Sequence, residues 1–322
     1  EVRVVVICGS DLHFAKPGAA RRARGKEMQG LGPMAELGSP SIDLSQDVWM
    51  GHEFASRVLE AGPDTQTFAP DTIVTSIPIL LGGPTGFAPI VYSNSTMGGY
   101  AERMLLSAMM LLEVPNGLDP KLAALTEPMA VGLHGANRSG IKQGEGALVL
   151  GCGPVGLAII AALKVKGIDT IVAADFSPAR RAMALTMGAH EAVDPREETS
   201  FDAWARVGGS KQLHVFEAIG VPGILNDILK WVPGRTKVTV VGVCMEPDTI
   251  TPFFGISKEI DMSFCLGYDP MEFGGSLRSI AEGEIDVRPM ITSEVNLDGV
   301  AGAFASLGDP EQDCKILVVP NS

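Results

Sequence analysis

Cysteine is scarce in this chain and never closely paired: the five stand at positions 8, 152, 244, 265 and 314. Such scatter excludes the disulfide framework of a secreted scaffold and points to a reducing, cytoplasmic setting. No cysteine lies between Cys8 and Cys152, so a zinc held by four thiolates is excluded there, and the stretch Pro78–Gly99 must be held by ordinary packing. Basic runs are no longer than Arg21-Arg22-Ala23-Arg24, and 25 basic against 38 acidic residues leave a net charge of -13. So acidic a chain repels phosphate backbones, which argues against nucleic acid as a partner. Long apolar runs are also missing. Ala147–Leu150 and Leu157–Val165 stop at glycine or lysine, well short of the roughly 20 residues of a membrane span, so no membrane partner is expected. No signal-peptide pattern opens the chain, which begins with the strand-like Glu1-Val2-Arg3-Val4-Val5-Val6.

What is present fits two domains, since 322 residues exceed the roughly 250–300 that one core sustains. The first third is rich in glycine, proline and short β-branched runs such as Arg57-Val58-Leu59 and Ile73–Ile77, the pattern of small strands with long connections. From Lys121 the spacing turns helical, and Ala147–Asp194 reads strand, glycine turn, helix, strand, helix, strand. Val215–Ile219, a helix over Ile224–Trp231 and Lys237–Val241 extend this to six parallel strands. After Ile285 mixed short segments return, and Lys315–Val319 reads as a strand rejoining the first domain. The expected division is 1–123 with 286–322 against 124–285.

Gly151-Cys152-Gly153-Pro154-Val155-Gly156 follows the apolar strand Ala147–Leu150 and opens the helix Leu157–Lys166. A second strand, Ile171–Ala174, ends at Asp175, at the spacing of a dinucleotide-binding unit. Gly151 permits the tight turn, Gly153 lets a pyrophosphate approach the backbone at the helix start beside Pro154 and Val155, and Gly156 brings helix against strand. Asp175 is placed to accept from the adenosine ribose hydroxyls and to repel the extra phosphate of NADP, which favours NAD. Arg180 and Arg181 soften that preference.

Cys8 supplies a soft thiolate and His52 an imidazole, good zinc ligands that one carboxylate, Glu53 or Glu127, completes to three with a fourth position open for catalysis. For Cys152, Cys244, Cys265, Cys314, His134, His190 and His214 packing is the simpler reading.

Across nearly all of its length the chain resembles the zinc-containing medium-chain dehydrogenases, in the branch of alcohol, sorbitol and threonine dehydrogenases. The likeness rests on Cys8-Gly9-Ser10-Asp11-Leu12-His13, Gly51-His52-Glu53, Thr126–Gly132, the glycine turn and Cys314–Val318. It implies an α/β fold: a doubly wound Rossmann parallel sheet beside a β-rich, GroES-like catalytic domain. It also implies one catalytic zinc on Cys8, His52 and Glu127, with Glu53 as a carboxylate that either ligates or stands behind the ligands. Asp11 matches the residue that orients the ligating imidazole, and Ser10 and His13 match the proton relay. Ala218, Ile219, Val241 and Val243 match loops along the nicotinamide. Lys315 reads either as a neutraliser of the pyrophosphate or as a solvated charge at the head of the last strand. The implied activity is hydride transfer between a secondary or polyol-like alcohol and NAD, giving a ketone or aldehyde, in a homodimer or homotetramer with an edge near Met262–Leu266.

The chain departs from the family in three places. Cys8 and His52 are 44 positions apart, longer than usual, and Lys16–Pro40 reads as an inserted loop, either a lid near the metal or a surface excursion. Only seven residues precede Cys8, so we read the start as trimmed. Ser56 stands where glycine is usual. These departures keep two rivals in view: a zinc-free quinone or alkene reductase of the same superfamily, and a non-catalytic dinucleotide-binding homologue.

Overall fold

A computed structural model describes residues 1–15, 42–43, 45–63, 65–82 and 86–321, the side chain of His13 excepted. The Lys16–Pro40 insertion lies outside the described residues. The chain divides into unit 1, residues 1–127, 291–309 and 315–322, and unit 2, residues 128–290 and 310–314. These divisions fall a few residues later than expected. The short run 310–314 belongs with unit 2, where the Pro310 carbonyl accepts from Ser177 Oγ at 3.4 Å.

The strands of unit 1 begin with β1 (Val2–Val6), β2 (Trp49–Met50), β3 (Glu53–Arg57) and β4 (Ile73–Ser76). β5 (Ile79–Leu81), β6 (Phe87–Pro89), β7 (Tyr92–Ser93) and β8 (Leu111–Glu113) follow. Unit 2 holds β9 (Gly146–Leu150), β10 (Ile171–Ala174), β11 (Glu191–Val193), β12 (Leu213–Glu217), β13 (Lys237–Val240) and β14 (Asp261–Phe264), after which β15 (Ile291–Val295) and β16 (Lys315–Val318) return to unit 1.

The main sheet of unit 1 runs β15-β16-β1-β3-β4-β8. β1 lies in its middle, antiparallel to both β3 and β16, and four of its five residues are buried valines, β-branched side chains that suit a strand covered on both faces. Val2, Val5, Ile7, Phe54, Ile316 and Val318 form the core here. Val6 pairs with both Glu53 and Leu317. That register brings the end of β1, the start of β3 and the start of β16 together, and Cys8, His52 and Lys315 flank those three strand ends.

Unit 2 carries a six-stranded sheet in the order β11-β10-β9-β12-β13-β14, with every neighbouring pair parallel. The chain moves outward from β9 through β10 to β11, then returns to β12 on the other side of β9. This reversal opens a crevice at the carboxyl ends of β9 and β12, where such sheets bind ligands. The core gathers around Leu148, Val172, Trp204, Val215 and Ile228. At the far edge, Phe264 of β14 is exposed.

His214 on β12 is fully buried, with Nε2 3.0 Å from Glu145 Oε2. Burial holds its pKa below the ordinary 6.5, against the pull of Glu145. The unfolded chain therefore takes up a proton that the folded unit resists, so this contribution to stability is complete above about pH 6.5 and is lost as pH falls below it. The thermal midpoint is expected to drop between pH 7.5 and 5.5, and to drop less steeply in His214→Leu.

Candidate metal centre and cofactor crevice

In unit 1 the chain leaves β1 through buried Ile7 and reaches Cys8, just ahead of the helix Gly9–Ala15. Asp11 turns back on that start: its Oδ2 accepts from Cys8 N at 3.2 Å, and its own N–H donates to the Cys8 carbonyl at 3.1 Å. His52 is aimed inward by Gly51, whose φ is +98° and where a Cβ would come within 2.9 Å of Tyr100 N. No other residue fits that turn without strain. His52 and Glu53 are both buried, and the donor atoms of Cys8, His52 and Glu53 lie within 4.8 Å of one another.

Three further groups shape the cluster. Tyr100 OH donates to Asp11 Oδ2 at 2.6 Å, leaving Asp11 Oδ1 facing His52 Nδ1 at 3.7 Å. Both of those atoms are buried without a hydrogen-bond partner. The hydrogen bond between His52 and Cys8 accordingly uses Nε2. Lys315, 1% exposed, places Nζ 2.6 Å from each Glu53 carboxylate oxygen and 3.5 Å from the Ile7 carbonyl. That geometry corrects the expectation for Lys315: its charge is committed to Glu53, and it presents no ammonium to a pyrophosphate.

The electrostatics fit a metal cation. Burial alone depresses an imidazole, yet Cys8, Glu127 and Asp11 outweigh it and push His52 up to about 10. A site that holds a proton this firmly has surplus negative character, and a cation on the same sulfur, imidazole and carboxylate donors satisfies it instead. A metal held on Nε2 would leave Nδ1 as a single donor, and the orphaned Asp11 Oδ1 faces it as the acceptor. Glu127, in the first turn of the helix Thr126–Arg138, acts on both His52 and Lys315. Ser10 is exposed on the first turn of its helix, while the side chain of His13 lies outside the described residues. Phe14 stacks on Tyr92 at 4.3 Å, and Tyr92 meets His52 edge-on at 6.5 Å.

In unit 2 the glycine turn joins β9 to the helix Pro154–Val165. Gly151 has φ +91°, and a Cβ on Gly156 would come 1.9 Å from the Gly151 carbonyl oxygen. Above Gly153 the space is open: a Cβ there would meet nothing nearer than an Arg180 guanidinium nitrogen at 3.9 Å. Asp175 is fixed by Cys152 N on one oxygen and Ser177 N on the other, both at 2.8 Å, which leaves lone pairs on each for a diol. Arg181 is committed to the Asp175 and Phe176 carbonyls and to Asp194, whereas Arg180 Nε is buried without a protein partner. Ala218 and Ile219 follow β12, Val241 and Val243 follow β13, and the apolar Ile219 and Val243 are exposed. Cys152 is buried, its thiol pushed up by burial and by Asp175. No helix among the described residues is long and apolar enough to cross a membrane.

Tyr100 and the true partner of Lys315 escape sequence reasoning. The one sequence sign of Tyr100 is the glycine pair Gly98-Gly99 before it, where Gly99 N donates to the Gly51 carbonyl at 2.7 Å.

A cluster of a half-buried thiol with a buried imidazole and carboxylate in one unit and a complete dinucleotide turn in the other define the class of metal-assisted dehydrogenases. Residues 154–282 match the protein family described as zinc-binding dehydrogenase. The chain is 30% identical over 331 residues to (R,R)-butanediol dehydrogenase of Bacillus subtilis (strain 168), covering 98% of this chain and 90% of that one. It is 25% identical to sorbitol dehydrogenase of the same organism, covering 100% and 89%. The crystal structure of 2R,3R-butanediol dehydrogenase from Bacillus subtilis superposes with a TM-score of 0.82 at 28% identity, covering 100% of this chain and 91% of that one. The chain belongs to the zinc-containing medium-chain dehydrogenase family and is an oxidoreductase acting on CH–OH groups.

Tyr100→Phe removes the donor that holds Asp11 toward His52. Zinc affinity, measured by chelator competition, is expected to fall roughly tenfold with the fold intact.

Proposed function

We propose that this chain oxidises a small secondary or polyol-like alcohol to the ketone or aldehyde, with one zinc and NAD, and runs the reverse reduction with NADH. The observation that carries the reading is the gathering of the donor atoms of Cys8, His52 and Glu53 within 4.8 Å of one another. Cys8, His52 and Glu127 would hold the zinc. Lys315 already engages both oxygens of Glu53, which supports Glu127 as the standing ligand and Glu53 as the carboxylate behind it.

When bound, zinc would supply Lewis-acid polarisation of the substrate oxygen and the nicotinamide an acceptor for the hydride. The remaining work falls to the chain. Asp11 keeps the proton of His52 on Nδ1 and the ring in register, with Tyr100 holding Asp11. Ser10 takes the hydroxyl proton of the substrate, an exchange suited to its exposed place on the helix start. His13 as the outer member of the relay rests on the sequence match, and an imidazole suits that position because it loads and releases protons near neutrality. Gly151, Gly153 and Gly156, with Pro154 and Val155, would seat the pyrophosphate, Asp175 the ribose diol, and Arg180 an adjacent phosphate. The turn geometry and the open space over Gly153 support this. The cytoplasmic setting follows from the unpaired cysteines, and a homodimer or homotetramer through the exposed edge at β14 completes the reading.

Protein purified without added metal is expected to carry about one zinc per chain, and Cys8→Ser to lose both the metal and alcohol-dependent NADH formation. Full activity in Cys8→Ser would instead favour the zinc-free reductase; zinc-free protein that binds NADH without turnover would favour the non-catalytic homologue. Asp175→Ser should cut the preference for NAD over NADP by roughly tenfold, the worth of one hydrogen bond to a charged group, read from the ratio of kcat/KM values.

A further inference from the structure

We propose that Glu217 is a positioning residue for the nicotinamide end of the cofactor, acting through the loops that follow β12 and β13; the inference rests on the cofactor reading above. Glu217 closes β12 and is 1% exposed. Its carboxylate Oε1 accepts from both Ile219 N and Gly220 N at 2.7 Å. Its main-chain carbonyl accepts from Val241 N and Gly242 N, each at 2.8 Å. One residue thus gathers four backbone donors from two loops.

Those loops are also locked against each other. A Cβ on Gly242 would come 2.5 Å from Gly220 N and 2.7 Å from Glu217 Oε2, and one on Gly220 would come 2.7 Å from Val243 N. On the other side, a Cβ on Gly151 would come 2.9 Å from the Ala218 carbonyl oxygen. The hold therefore extends to the glycine turn. Burying a carboxyl group is unfavourable, and amides at a loop this close to solvent have water as an alternative partner. Burial raises the Glu217 carboxyl, partly offset by the Gly220 and Ile219 amides. A carboxyl kept there despite that cost fixes a shape, and the shape presents Ile219 and Val243, 43% and 59% exposed, as apolar surfaces for a flat ring.

The test compares the full chain with Glu217→Gln and Glu217→Leu in titrations with ADP-ribose, which lacks the nicotinamide, and with NADH. ADP-ribose affinity is expected to stay within about twofold in all three. NADH affinity should fall tenfold or more in Glu217→Leu, with loss of the blue-shifted fluorescence of bound NADH, while Glu217→Gln, which keeps an acceptor oxygen, should stay near the parent. Gly220→Ala, whose Cβ would meet the Val243 backbone first and so push the two loops apart, should repeat the selective loss. Equal weakening of both ligands in the folded variants, or no weakening of NADH, overturns the proposal. A parent chain that binds neither ligand overturns the cofactor reading itself.

Discussion

An ammonium and a carboxylate leave water together only when they meet with good geometry and their remaining hydrogen-bonding capacity is met. Lys315 and Glu53 meet that condition at 1% exposure each, with the Ile7 carbonyl as a further neighbour of the ammonium. Removing either partner would strand a lone buried charge, a cost of about 3–5 kcal/mol. The rest of unit 1 is arranged around this constraint, because the pair forms only if β16 lies beside β1 in the register that sets Lys315 against the start of β3. Cys8 and His52 flank the same strand ends. Their separation is thus inherited from a sheet register, which is stiffer than any loop, and this suits ligands that must hold their geometry.

The two units handle negative charge differently. In unit 1, Cys8, Asp11 and Glu127 surround His52 and favour a cation among them. In unit 2 the carboxylates of Asp175 and Glu217 accept from backbone amides, so that they orient the chain around them.

Much of this was legible in the sequence. The parallel sheet could be read because strands such as β9 and β10 are continuous apolar runs ended by turn residues, and the glycine turn because its spacing to Asp175 is characteristic. Cys8 and His52 stood out because of their neighbours, Gly9-Ser10-Asp11 after the one and Gly51 and Glu53 around the other. Boundaries slipped where polarity and burial part company. Val215–Ile219 looks like a strand, yet the strand is Leu213–Glu217: Glu217 is buried with its own amide partners and apolar Ile219 is exposed. Likewise Arg57-Val58-Leu59 draws the eye, although the strand is Glu53–Arg57, with buried Glu53 and Ser56. The pairings Tyr100 with Asp11 and Lys315 with Glu53 span 89 and 262 residues. No local pattern encodes contacts at that separation.

The interleaving of the two units also bears on how the chain is made. β1 has a strand on each side: β3, which follows it closely in the chain, and β16, which follows only after every strand of unit 2. By then all six strands of unit 2 have been synthesised, and contacts within that unit need no residue beyond 314. Local pairings form early and distant ones late. The nascent chain therefore carries an incomplete first sheet, with one edge of β1 uncovered, until β16 emerges, and Glu53 stays without its Lys315 partner until then.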